Sequence, residues 1–145
     1  MKTTTDFTIF AVDDDLFTAH LMRQHLHQLG YNNITIFSSG VDMLHELHRK
    51  PQIILLDHQM DDLDGLETLK KIKRYDPNAF VVMVSGQEDM QTALNTLRYG
   101  ALDYVAKNEN MERELAAVMA RIENISAQLR RKRPSLLHQI LSVVL

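Results

Sequence analysis

Two runs of consecutive apolar residues, "IILL" at Ile53–Leu56 and "FVVMV" at Phe80–Val84, limit the folds open to this chain more than any other feature. Neither alternates apolar with polar residues, as a strand with one wet face would, and both are short for a buried helix. Strands hidden on both faces belong to parallel sheets, whose crossover helices cover both sides. Three more runs fit the pattern: "FTIFAV" (Phe7–Val12), "ITIF" (Ile34–Phe37) and "YVA" (Tyr104–Ala106).

Helical periodicity fills the gaps. Leu16, Ala19, Met22, Leu26 and Leu29 fall on one face, with Gly30 as a stop. Ser39 caps a segment carrying Val41, Leu44 and Leu47, which must end before Pro51. Leu66, Leu69 and Ile72 make a third stripe. Met90, Ala93, Leu94 and Leu97 make a fourth, ending at Gly100. A fifth begins near Met111 and repeats at Leu115, Val118, Ile122, Ile125 and Leu129, the spacing of a coiled-coil seam. The expected break is Pro134, followed by a second amphipathic piece with Leu137, Ile140, Leu141 and Val144 on one face. The βα unit occurs five times, which predicts an α/β, doubly wound, five-stranded parallel sheet flanked by five helices. The length of 145 residues suits one domain, expected over residues 6–127, with 128–145 as a helical extension or a linker to another module.

Composition removes several classes of function. A net charge of -3 gives no bulk footprint for nucleic acid, and the basic run Arg130–Arg133 reads as a solvated helix end. The absence of cysteine excludes disulfides and thiolate metal sites. No apolar run reaches the ~20 residues of a membrane span, and "MKTTTDF" is unlike a signal peptide. The expectation is a cytoplasmic protein with no nucleic-acid or membrane partner for this domain.

Ligands in open α/β sheets bind beyond the C-terminal strand ends. Strand one delivers Asp13, Asp14 and Asp15 there, strand three Asp57, and strand four Ser85. Lys107 follows strand five. With strands one and three as neighbours, Asp13, Asp14 and Asp57 converge. Carboxylates crowded together raise one another's pKa unless a cation joins them, and an all-oxygen donor set favours Mg2+. A metal, a lysine and a hydroxyl cradle a phosphoryl group, and a carboxylate among them can act as the nucleophile. Asp57 is the candidate.

The same residues resemble the receiver domains of two-component response regulators, of the chemotaxis-regulator-like kind. "AVDDD" resembles the family's first-strand acid pair, and "ILLDHQMDDLDGLE" its phosphoacceptor segment. "MVSG" resembles the strand-four hydroxyl, and "YGALDYVAK" the switch aromatic and lysine. The resemblance covers about residues 6–127. It implies a flavodoxin-like strand order 2-1-3-4-5 and a phosphoacceptor at Asp57, supplied by a sensor histidine kinase or phosphotransfer protein. It implies Mg2+ held by Asp13, Asp14, Asp57 and the backbone carbonyl of Gln59, with Ser85 and Lys107 on the phosphate. Tyr104 would be the switch aromatic, remodelling the face of helix four, strand five and helix five for partners or for a homodimer; the C-terminal extension is the other expected dimer contact. The domain would be a signalling module with self-catalysed phosphorylation and dephosphorylation, not an enzyme acting on other substrates. Asp61 stands where the family usually has proline, as does Asn108 after the lysine; Gln59 replaces a common Asn or Met, and its side chain, like that of Gln87, would face the position of the water that attacks the phosphoryl group.

Other readings of the acids and histidines are weaker. A calcium loop around Gly65 puts Lys71 where a carboxylate is required. Asp62 and Asp64 read as caps of the third helix, and Asp15 as a cap of the first. His20 with Gln24 and His27, and His45 with His48, have helical spacing but lack a further metal ligand and read as solvated helix faces; His58 reads as a rim residue. The methionines at 22, 43, 83, 90 and 119 read as core. Asp13-x-Asp15 resembles the start of a haloacid dehalogenase-type phosphatase, but Phe17 stands where that family wants Thr or Val. A phosphorylation-independent interaction domain would tend to lose the acid pair, the nucleophile or the lysine, and this chain keeps all three.

Overall fold

A computed structural model describes residues 7–60, 62–86 and 89–144, with side chains up to residue 131. The strands are β1 (Ile9–Val12), β2 (Ile34–Phe37), β3 (Ile53–Leu56), β4 (Phe80–Ser85) and β5 (Asp103–Ala106). The helices are α1 (Leu16–Gln28), α2 (Gly40–Leu44), α3 (Gly65–Tyr75), α4 (Met90–Arg98) and α5 (Met111–Val144); a single 3-10 turn, Leu47–Arg49, follows α2. All strand pairs are parallel, in the order β2-β1-β3-β4-β5. Strand order therefore reverses between β1 and β3, which are direct neighbours.

The unalternating runs now have their cause. Ile53 and Leu55 join one core, packed with Met22 and Leu26 of α1 and Leu115, Val118 and Ile122 of α5. Ile54 and Leu56 join the other, with Met43 of α2 and Leu69 and Ile72 of α3. Alternate residues point to opposite faces, and both faces are covered. Gly30 and Gly100 take positive φ (100° and 108°) just after α1 and α4, as expected of C-terminal stops.

Several periodic residues are not core. Met90 is 73% exposed and Leu94 51%, and Leu97 is also exposed, so most of the α4 stripe faces solvent. Periodicity reports an apolar face but not what covers it. Leu16 and Leu29, at the two ends of the α1 stripe, are exposed too, as are Val41 and Leu129. β1 begins at Ile9 rather than Phe7, and β4 and β5 are each one residue longer than expected. The expected break at Pro134 does not occur: α5 runs on to Val144. Proline removes one amide hydrogen bond, here to the Arg130 carbonyl, at a cost of ~3 kcal/mol. The flanking Ala127–Arg133 are strong helix formers, and one missing bond does not end the helix.

Candidate functional site

The sheet hydrogen bonds that build the fold also assemble the site. The Asp57 amide donates to the Val12 carbonyl (2.9 Å), which carries the β1–β3 pairing one residue past both strands. Asp57 is thereby set beside Asp13. On the other side the Lys107 amide donates to the Ser85 carbonyl (2.9 Å), bringing the lysine to the end of β4. The Lys107 ammonium reaches 2.7 Å from Asp13 Oδ2 and 3.3 Å from Asp57 Oδ1. Asp13, Asp57 and Ser85 are buried, whereas Asp14 is exposed at the mouth.

Ligand oxygens of Asp13, Asp14 and Asp57 all lie within 4.8 Å of one another, the one group of three or more such ligands among the described residues. Asp13 Oδ1 accepts the Asp15 amide (2.9 Å), which fixes its rotamer. Asp13 Oδ2 is fully buried and makes no aligned hydrogen bond, with the Lys107 ammonium as its close cation. A crowded, under-satisfied set of hard oxygen donors fits a divalent cation such as Mg2+.

Burial pushes the Asp57 carboxyl up to about 6, with Asp13 adding to the shift and Lys107 opposing it. The Gln59 backbone amide also hydrogen-bonds this carboxylate and lowers its pKa slightly. Lys107 is desolvated, which alone would lower its pKa, but Asp13 and Asp57 outweigh this and hold it above the usual lysine range. The lysine is therefore a fixed positive charge facing two acids.

The Asp57 shift has a stability consequence. The folded state holds the proton more tightly than the unfolded chain, so this contribution is present below pH ~3.8 and lost as pH rises through about 6. Above that range the ionised group costs up to about 3 kcal/mol. Asp57→Asn is accordingly expected to stabilise the metal-free protein by ~1–3 kcal/mol at pH 7.5 and by much less near pH 4. Urea melts at the two pH values check this; an equal effect at both would remove the electrostatic explanation.

The neighbouring acids divide by geometry. Asp64 caps α3, accepting the Glu67 amide (2.9 Å), and Asp15 caps α1 through Phe17 N (3.2 Å) and the Thr18 hydroxyl (2.7 Å). Asp62 does not cap α3. It accepts the Val41 amide (3.1 Å) in the first turn of α2 and so ties the loop before α3 to α2. That long-range contact has no signature in local spacing. Asp61 and Gln87 lie outside the described residues. The Lys107–Asn108 peptide is trans. Tyr104 is half-buried and packs against the α2/α3-side core. His58 is not simply a rim residue, because its Nδ1 is buried without a partner. The other histidine pairs join no group of three ligands among the described residues. Among those residues no helix is long and apolar enough to cross a membrane.

A family model described as the response regulator receiver domain matches residues 9–119. The transcriptional regulatory protein ZraR of Escherichia coli K12 is 31% identical over 124 residues, 83% of this chain and 28% of that protein. The chain thus spans about a quarter of the length of the ZraR and NtrC proteins it matches, and about half that of the probable response regulator DctR of Priestia megaterium. The CheX–CheY–BeF3–Mg2+ complex of Borrelia burgdorferi contains a similar fold, with a TM-score of 0.74 at 28% identity, covering 80% of this chain and 89% of that one. The BeF3-activated DrrB receiver domain, from Thermotoga maritima, gives 0.72 at 31%, covering 81% and 97%.

Proposed function

The chain belongs to the response regulator receiver domain family, and on that premise we propose that Asp57 is its phosphoacceptor, supplied by the phosphohistidine of a sensor kinase or phosphotransfer protein. An Asp57 oxygen attacks phosphorus; the P–N bond to the donor imidazole breaks, and the imidazole leaves with its electron pair and takes up a proton. The product is an aspartyl phosphate. The observation that carries this reading is the convergence of buried Asp57 with Asp13, Asp14 and the Lys107 ammonium at one strand edge.

The chain's own residues divide the work. Lys107 offsets charge that builds on the phosphoryl oxygens, and the Ser85 hydroxyl stands at the end of β4 to donate to one of them. Asp13, Asp14, Asp57 and the Gln59 carbonyl would hold Mg2+, which neutralises charge on the transferring group. Tyr104 on β5 is the switch aromatic. The solvent-facing apolar residues Met90, Leu94 and Leu97 of α4 support a partner face formed with β5 and α5. Residues 6–127 are the receiver, and 128–145 extend from it.

Acetyl phosphate with Mg2+ tests the chemistry without needing the cognate kinase. Intact-mass spectrometry is expected to show one added phosphate, labile at alkaline pH as an acyl phosphate is. Sustained turnover of assorted small phosphoesters, with no protein-bound phosphate, would contradict the assignment.

A further inference from the structure

Gln59 lies in the loop of residues 57–64 between β3 and α3, and backbone bonds pin both ends of that loop. The Asp57 amide donates to the Val12 carbonyl (2.9 Å), and the Gly65 amide to the His58 carbonyl (2.7 Å). The span between them carries the Gln59 carbonyl and contains no proline to fix a φ angle. Any freedom left in such a span must be given up when a ligand orders it, and that loss weakens binding.

Asp62 fastens this span to a second element. Its Oδ2 accepts the Val41 amide (3.1 Å) in the first turn of α2, and its Oδ1 accepts the Leu63 amide (2.8 Å). The Ser39 hydroxyl, which accepts the Asp42 amide (3.0 Å), also hydrogen-bonds the Asp62 carboxylate. Slight desolvation alone would raise the Asp62 carboxyl, but these bonds, with one from its own amide, outweigh it and hold the group below the usual carboxylate range. Asp62 is thus ionised at neutral pH and held through both oxygens, although it lies at the surface.

The post to which it is tied is itself wedged in place. Gly40, the first residue of α2, lies so close to α3 that a Cβ there would stand 2.8 Å from the Thr68 hydroxyl oxygen and 3.5 Å from Met60 Cε. Thr68 is fully buried, and its hydroxyl donates to the Asp64 carbonyl (2.8 Å). Met60 packs against the α2/α3-side core.

We infer that Asp62 is a positioning residue: by binding the start of α2 it holds the loop between His58 and itself in one conformation, so that less ordering is left for Mg2+ binding at the Gln59 carbonyl. This role rests on the assignment of that carbonyl to Mg2+ and of Asp57 to the phosphoryl group. Asp62 stands outside the carboxylate group of Asp13, Asp14 and Asp57, so its effect on the cation runs through the backbone.

Two measurements on the full chain separate the tether from the chemistry. In the metal-free protein, Asp62→Ala should speed hydrogen exchange at the Gln59 and Met60 amides roughly fivefold, the worth of about one net hydrogen bond. Titration calorimetry with MgCl2 should show the dissociation constant raised by a similar factor, roughly fivefold, with acetyl phosphate labelling at saturating Mg2+ close to the parent's. Asp62→Asn keeps an oxygen for the Val41 amide but loses the charge, and should match the parent in both measurements. Asp76→Ala removes a carboxylate–amide bond of the same kind (to the Asn78 amide, 3.0 Å) at the far end of α3, and should lower stability without changing Mg2+ affinity. Circular dichroism confirms that each variant is folded. The inference is overturned if Asp62→Asn weakens Mg2+ binding as much as Asp62→Ala, which would reduce Asp62 to a bulk charge, or if Asp62→Ala leaves loop exchange and Mg2+ affinity unchanged. A parent chain that takes no phosphate at Asp57 fails the functional assignment and this role with it, a result distinct from either because it appears without any substitution.

Discussion

Asp57→Ala is expected to abolish the acetyl phosphate-dependent mass gain completely, whereas Asp64→Ala keeps it. The two residues stand seven positions apart in the same acidic loop, yet their surroundings differ in kind. Asp57 is buried, 3.3 Å from the Lys107 ammonium, and one of its oxygens lies within 4.8 Å of those of Asp13 and Asp14. Asp64 accepts the Glu67 amide at the start of α3. Losing a cap costs about 1 kcal/mol of stability and leaves the acid crevice intact. Asp57→Ala removes the oxygen proposed to attack phosphorus, and Asp13 is held by the Asp15 N–H and Lys107. Retention of the phosphate in Asp57→Ala, mapped by peptide mass spectrometry to any other residue, would refute the assignment.

The second large effect belongs to Gly65. A Cβ at this position would lie 2.5 Å from His58 Cα, 2.6 Å from the Asp57 carbonyl oxygen and 2.9 Å from Met83 Cε. The first two are backbone atoms and cannot rotate away. The Gly65 amide also donates to the His58 carbonyl at 2.7 Å, so the start of α3 is drawn against the segment that carries Asp57, the proposed phosphoacceptor. Gly65→Ala must push α3 or the Asp57–His58 segment aside. The expected cost is about 2–3 kcal/mol, a fall in Tm on the order of 10 °C, with slower acetyl phosphate labelling because Asp57 moves. Gly86→Ala is the control. A Cβ there meets nothing within 4 Å, and stability should change by less than about 0.5 kcal/mol. Thermal melts that rank the two variants equally would contradict this account of Gly65.

The legible part of the site was its chemistry. Asp13 and Asp57 each directly follow an apolar strand run, and Lys107 follows the last one. Strand polarity in a parallel sheet sends all of these residues to one edge. Tertiary contacts without a local period could not be read. Asp62 looked like a second cap for α3 because it lies just before it, but its carboxylate reaches the Val41 amide across the fold. Gly65 matched a motif in the sequence, and only packing shows that backbone, not turn geometry, excludes a side chain there.

Helix faces divide in the same way. The stripe at Leu69 and Ile72 is core, and that at Met90, Leu94 and Leu97 is largely surface, although both have helical spacing. Periodicity fixes which residues share a face; whether the face meets the sheet depends on where the helix lands. The sequence by itself determined the sheet, its five βα units and the acids at its C-terminal edge, because strand burial and chain direction are written in consecutive residues. The tertiary structure alone decided the pairing of Lys107 with Asp13, the exposure of α4 and the passage of α5 through Pro134. Those depend on distances between segments far apart in the chain, or on packing that outweighs one lost hydrogen bond.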